Sequence, residues 1–494
     1  MDKATVIKSL IYKFTERFSV KCIGLVISII LARLLAPEVF GQLALLTVFT
    51  DLSLTLIDGG LNSALVQSKE TDESDYSTVF IITLALSVLM IAVLYFAAPV
   101  IASFYKSTAL IKPLRFYSLS LLFSAFNSIQ VARMQRAMRF REMMYCSLAA
   151  TITAGTLGIL LAYMGAGLWA LVGYYFTHIA VNCFAMLFAN RWVPHGRFSK
   201  DSAKRLYGFG IKMLASSMIT TIYNDIRPLI IGKKFSTADL GYYERGQRFS
   251  TTVSLNLDTA VQSVMFPVMA QAQDDKKQVR AMLRRAQTMG EFIIFPAMVG
   301  MAAVAEPMVR LLLTEKWMPC VIFVQILCVA EMQVPLTSSN LVVVKALGRS
   351  DILMKQEILR RTLMIIVLLV TVFAFHSVVA IACGFLFSAW LDAFVTSMPV
   401  KKLLGYGFAD QAKDMWRSAL AAVIMGAVVA ALNLLNVPDA AKLIIQIITG
   451  AAVYAAACWI LKVESLRYIL NMLKKRGARR APDKNTEKNI NDAH

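Results

Sequence analysis

The sequence predicts an all-α integral membrane protein of about fourteen transmembrane helices, built as two six-helix lobes related by a pseudo-twofold axis and followed by a helix pair. Three observations carry this expectation. The 494 residues are 57% hydrophobic and 17% charged, with a mean hydropathy of +0.61, whereas soluble domains carry about 25% charged residues. Apolar runs close to the ~20 residues a helix needs to cross a bilayer recur from end to end. Finally, the chain repeats itself. ARLLAPEVFGQLALLTVFTDLSLTLIDGG at 32–60 is echoed by GKKFSTADLGYYERGQRFSTTVSLNLDTA at 232–260, which aligns Arg33 with Lys233, Gly41 with Gly241 and Asp58 with Asp258.

Taken in order, the runs between charge, proline or glycine place helices near 14–36, 42–66, 77–99, 114–132, 144–164 and 168–190. A second set falls near 207–232, 241–266, 288–313, 320–344, 360–376 and 378–398, and a last pair near 416–436 and 440–461. Glu16, Arg17 and Lys21 interrupt the first run and no small-residue cleavage site ends it, so it reads as a retained helix. The lobes are 1–200 and 201–400, the helix pair 401–465, and the basic tail 466–494 is expected to be disordered and cytoplasmic. Pro194 and Gly196 mark the linker between lobes. Placing both termini in the cytoplasm gives that side about 36 basic residues against about 9 opposite, the asymmetry expected of cytoplasmic loops. The acidic loop with Glu70, Asp72, Glu73 and Asp75 is the one that runs against it.

The net charge of +20 does not point to nucleic acid, because the basic residues sit in short connections and the tail rather than on one solvated face. Seven cysteines scattered through apolar runs, without a C-x-x-C pair, read as small core residues, and the four histidines do not form a metal set. His178 reads as a packed or interfacial histidine.

Charges inside apolar helices are the informative residues, since each costs about 2.5–3.5 kcal/mol at mid-bilayer on insertion scales. Arg17 and Lys21 lie one turn apart in the first helix; Lys212 and Arg227 lie in the seventh; Arg245 and Arg248 open the eighth. The repeat brings these helices to the axis, which predicts a cationic cavity for an anionic substrate, arginine forks matching phosphate oxygens. The bland alternative is pairing with Glu244 or Glu16, or snorkelling at a helix end. Tyr223, Tyr242 and Tyr243 can stack on sugar faces, although interfacial placement is the ordinary expectation for them. Asp51, Asp58, Asp225, Asp258 and Glu291, with Glu331 and Asp392, are candidates for proton or sodium coupling. Pro228 is a candidate hinge. No cofactor or metal is called for.

LLAPEVFGQLALL, QRAMRFREM, GAGLWALV and LGYYERGQR, in that order over about residues 5–460, resemble the Wzx-type polysaccharide exporters. The subgroup resembled is that of colanic acid and lipopolysaccharide, within the multidrug/oligosaccharidyl-lipid/polysaccharide superfamily. The resemblance implies a flippase that moves polyprenyl-pyrophosphate-linked oligosaccharides across the bacterial inner membrane by alternating access. It also implies membrane lipid and other polysaccharide assembly proteins as partners. An ion-coupled drug or metabolite antiporter of the same fold, and a membrane polymerase or glycosyltransferase, are the alternatives. An acid-lined cavity would favour the antiporter; a large polar loop or paired catalytic carboxylates would favour the enzyme, and the sequence has neither.

Overall fold

The structure, a computed structural model, describes residues 3–67, 71–193 and 198–468. Pro194, Gly196 and residues 469–494 of the expected tail lie outside the described residues. The described residues are built from helices and connections, in the order α1 Lys3–Leu34, α2 Pro37–Asp58, α3 Leu61–Gln67, α4 Glu73–Phe104, α5 Ile111–Ser118, α6 Ser120–Arg136, α7 Phe140–Tyr163, α8 Leu168–Asn190, α9 Lys200–Lys234 and α10 Thr237–Gln271. There follow α11 Lys276–Ala303, α12 Ala305–Leu313, α13 Val321–Glu331, α14 Val334–Ala346, α15 Ser350–Ala374, α16 Val378–Leu404, α17 Phe408–Ala431 and α18 Asp439–Ile460.

Local chemistry sets the ends. Pro37 opens α2, where its missing N–H is not needed, and Gly59 closes it in the left-handed region, φ 53°, donating to the Thr55 carbonyl. Asp72 and Asp75 form a capping box on α4. Ser199 accepts from the Ser202 amide at the start of α9, and Asp275 accepts from Lys277 and Gln278 at the start of α11. Four of the expected single runs are broken, the 42–66 run at Gly59 and Gly60 between α2 and α3. The 114–132 run is interrupted at Leu119 between α5 and α6, and the 320–344 run breaks between α13 and α14, just before Pro335. The expected 288–313 helix likewise stops at Ala303 and resumes as α12.

Among the described residues, ten helical runs are long and apolar enough to cross a membrane. They do not include α1, α9, α10 and α15, which have 32, 35, 35 and 25 residues. At 1.5 Å per residue each of these four is long enough for a bilayer, so their polar content is what sets them apart. The chain is a multi-span all-α membrane protein whose most polar long helices belong where protein or water shields their charges.

The described chain forms two compact units, Met1–Arg245 with Leu312–Pro319, and Gly246–Leu311 with Cys320–His494. In the first, the acidic start of α4 is tied to basic residues near the ends of α6 and α9. Asp75, fully buried, accepts two bonds from Arg205 at 2.6 and 2.7 Å, and Glu73 accepts from Arg133 at 2.6 Å and from the Trp192 indole at 2.8 Å. This explains why that loop departs from the basic pattern of its neighbours. Also in the first unit, α2 and the start of α10 cross with no room for a side chain. A methyl on Gly41 would overlap the Thr237 carbonyl, and one on Gly241 would overlap the Pro37 carbonyl. The contact is reciprocal, each glycine meeting the residue four before the other. In the second unit, Arg360 of α15 grips Asp392 of α16 with a two-pronged ion pair, buried on both sides.

Candidate functional site

Two groups of polar side chains stand out inside the first unit. One is cationic and aromatic, built where α9 and the start of α10 meet α1, α2 and the 315–320 turn. Arg227, 5% exposed, donates to the Tyr243 hydroxyl at 3.3 Å and lies 5.2 Å over the Tyr223 ring. Arg245, 6% exposed, donates to the Ser28 hydroxyl at 2.7 Å and stacks over Phe40 at 4.4 Å and Trp317 at 5.2 Å. Trp317 is held by its own bond to the Ala32 carbonyl at 2.8 Å and by an edge contact with Phe40 at 5.2 Å. Guanidinium planes stacked on aromatic faces keep their charge and their outward donors while losing little freedom on binding.

The structure thus buries Arg227 and Arg245, each against aromatic rings of its own, and it leaves Lys21 and Arg248 exposed. The side chains of Arg17 and Lys212 lie outside the described ones. Tyr243 is in the core, not at a membrane interface, and its hydroxyl is the partner of Arg227. Pro228 is buried within α9, which continues as helix to Lys234.

The second group is a cavity of about 690 Å³ lined by Asp58, Asn62, Ser124, Asn127, Ser128, Gln135, His178 and Asn182, with Val131, Ala132 and Ile179. Ser124, Asn127, Ser128, Val131 and Gln135 follow the helical spacing, so α6 turns one face to it. Asn62 donates to Asp58 at 2.6 Å and to the Ser128 hydroxyl. His178 lies 3.4 Å from the Thr151 hydroxyl and belongs to this wall, a placement beyond the plain packing expected of it. The polar stripe of α6 was the available sequence signal for the cavity.

A related arrangement, with an acid, an amide and a serine, occurs in the second unit of the chain. Gln262 donates to Asp258 at 2.6 Å, and Ser338 bonds that carboxylate as well. Asp58 and Asp258 are therefore each held by an amide one turn on; the serine of a distant helix accepts from that amide, Asn62, in the first case and bonds the carboxylate itself in the second. Asp51 is exposed on α2. Asp225 on α9 is partly buried with one oxygen unpartnered, and the hydroxyls of Thr55 and Thr221 link the two helices at 3.0 Å. Glu331 accepts from Ser254 at 2.5 Å.

Comparison with known proteins gives a consistent picture. Residues 30–322 match a family described as polysaccharide biosynthesis protein. The chain is 24% identical over 472 residues to the succinoglycan biosynthesis transport protein ExoT of Rhizobium meliloti, covering 92% of both chains. It is 22% identical over 398 residues to the lipopolysaccharide biosynthesis protein WzxC of Escherichia coli, covering 80% of both. Among solved structures it is similar to the lipid II flippase MurJ in an inward closed conformation, with a TM-score of 0.75 and 14% identity over 93% of this chain and 100% of that one. A multidrug resistance MATE family transporter shares the fold at a TM-score of 0.58 and 15% identity, over 77% of this chain and 94% of that one.

Proposed function

The chain belongs to the polysaccharide biosynthesis protein family, and on that footing we propose that it is a flippase for lipid-linked oligosaccharides of a surface polysaccharide. It carries polyprenyl-pyrophosphate-linked repeat units across the bacterial inner membrane by alternating access, with both termini cytoplasmic. The transport protein from Rhizobium and the MurJ flippase, both matched over more than nine-tenths of this chain, support that reading. The observation that carries it is the buried pair Arg227 and Arg245, each stacked on aromatic rings in helices otherwise built to the length of a membrane span. Guanidinium groups suit pyrophosphate oxygens and aromatic faces suit sugars, so arginines stacked on rings suit both parts of the substrate.

In this scheme the lobes 1–200 and 201–400 rock about the pair, and Pro228, buried next to Arg227, is the hinge. Arg17, Lys21, Lys212 and Arg248 extend the cationic path away from these two arginines. Asp51, Asp58, Asp225, Asp258 and Glu291 are the acids available for coupling to a proton or sodium gradient.

The deciding experiment follows lipid-linked intermediates in a strain lacking the protein, with a membrane-impermeant enzyme reporting which face they occupy. Completed repeat units trapped on the cytoplasmic face are the expected result. Units already facing outward would refute the proposal.

A further inference from the structure

Glu291, near the middle of α11, is 1% exposed, and neither of its carboxylate oxygens has a hydrogen-bond partner. An ionised carboxylate taken from water with no partner is heavily penalised, whereas a protonated one becomes a single O–H donor in need of an acceptor. One turn back on the same helix face stands Gln287, 0% exposed, whose side-chain oxygen has no donor. The two deficits answer each other: protonation supplies Glu291 with the hydrogen that the Gln287 oxygen lacks.

Gln287 is also the first member of a buried amide chain. Its amide donates to the Asn340 oxygen at 3.0 Å, Asn340 donates to Gln411 at 3.2 Å, and Gln411 returns a bond to Asn340 at 3.1 Å and reaches the Tyr406 carbonyl at 3.3 Å. All three amides are 0% exposed, and they join α11 to α14 and α17. Past them lies a partly exposed ionic rim: Arg284 pairs with Asp414 at 2.8 Å and Glu464 at 3.1 Å, and the Tyr406 hydroxyl donates to Asp414 at 2.8 Å. Arg284 is seven residues before Glu291, about 10 Å along the helix axis. Amides have no titratable proton, so this chain seals the rim from Glu291 and does not conduct.

We propose that Glu291 is a proton-binding site that loads and unloads during transport, with the Gln287–Asn340–Gln411 amides as its latch. The proposal rests on the flippase reading and specifies its coupling ion. Four of the other candidate acids are already engaged, Asp58 and Asp258 by amides, Asp392 by Arg360 and Glu331 by Ser254, while Asp51 is exposed and Asp225 only partly buried. The groups brought to Glu291 by packed helices fit a neutral acid. On α18 stand Tyr454, whose hydroxyl donates to the Phe292 carbonyl at 2.9 Å, and Cys458. On α14 and α17 the buried polar groups are the latch amides and the hydroxyls of Thr337, Ser338, Ser339 and Ser418, none of them charged, and Asp414 of α17 is held by Arg284. The acids of α13 and α16, Glu331 and Asp392, have partners of their own, and Lys401 and Lys402 stand at the far end of α16.

Dicyclohexylcarbodiimide, which adds to protonated carboxyls in apolar surroundings, tests this on the purified full-length protein by mass-spectrometric peptide mapping across pH. We expect Glu291 to be labelled at low pH, the label to fall several-fold as pH rises, and Asn340→Ala to lower labelling at a given pH by admitting water. In cells, Glu291→Gln should accumulate like wild type, because its amide can donate to Gln287, yet lose export. An unlabelled Glu291 across the range, or normal export by Glu291→Gln, would overturn the proposal. Labelling needs no substrate, so a labelled protein whose deletion leaves lipid-linked units facing outward would refute the flippase and not the proton site.

Discussion

At the scale of single residues, two arginines decide what this protein can hold. Arg245 is locked between Ser28, Phe40 and Trp317, so Arg245→Ala together with Arg248→Ala removes both a stacked fork and the charge one turn on. Export should be lost while insertion persists, read by membrane abundance against surface polysaccharide; normal export would remove these arginines from the mechanism. Arg227→Lys is a finer probe. A lysine keeps the charge and gives up the planar fork over Tyr223, so export should fall several-fold without loss of protein. These arginines were legible in the sequence because a charge in an apolar run is conspicuous. Their partners were not: Trp317 reaches Arg245 from a turn far along the chain, and nothing local in either segment announces it. The cavity wall was missed for a related reason. Ser124, Asn127 and Asn182 are short polar residues that any membrane helix tolerates, and their shared purpose exists only where α6 and α8 converge.

At the scale of elements, close helix crossings set the strictest demands. Gly41→Ala or Gly241→Ala drives a methyl into carbonyl oxygen of the facing helix, an overpacking that costs roughly 1–3 kcal/mol. Gly24→Ala, with nothing within 4 Å of the new methyl, should be neutral or raise stability by about 0.5–1 kcal/mol through better helix propensity. Thermal unfolding of the three variants in detergent separates crossing from propensity; equal midpoints would mean the helices slide apart at no cost. Helix existence was readable from apolar runs, and every expected run contains helix. Breaks within runs were harder, because the interruption at Leu119 and the gap before Pro335 depend on what each segment packs against. The lengths of α9 and α10 were underestimated for a simple reason: helical hydrogen bonding continues past the apolar stretch that the sequence reading measured.

At the scale of the whole molecule, the first unit draws α9 and the start of α10 to the helices before them, although the linker would assign them to the second lobe. A chain cut between 193 and 198 and expressed as two fragments should therefore reassemble and export, since α2 and α3 already pack on α9 without the linker. Fragments that fail to co-purify would show the linker to be essential. Alkaline phosphatase fused after Lys106 should be active and after Arg139 inactive, as the basic-residue asymmetry requires; the reverse pattern would invert the protein. The reciprocal crossing of Gly41 and Gly241 has a further consequence. A contact in which residue i meets j and j's counterpart meets i's is the signature of a twofold interface between identical subunits. The crossing at Gly41 and Gly241 has that form inside a single chain, so a substitution at either glycine meets the same obstacle as at the other.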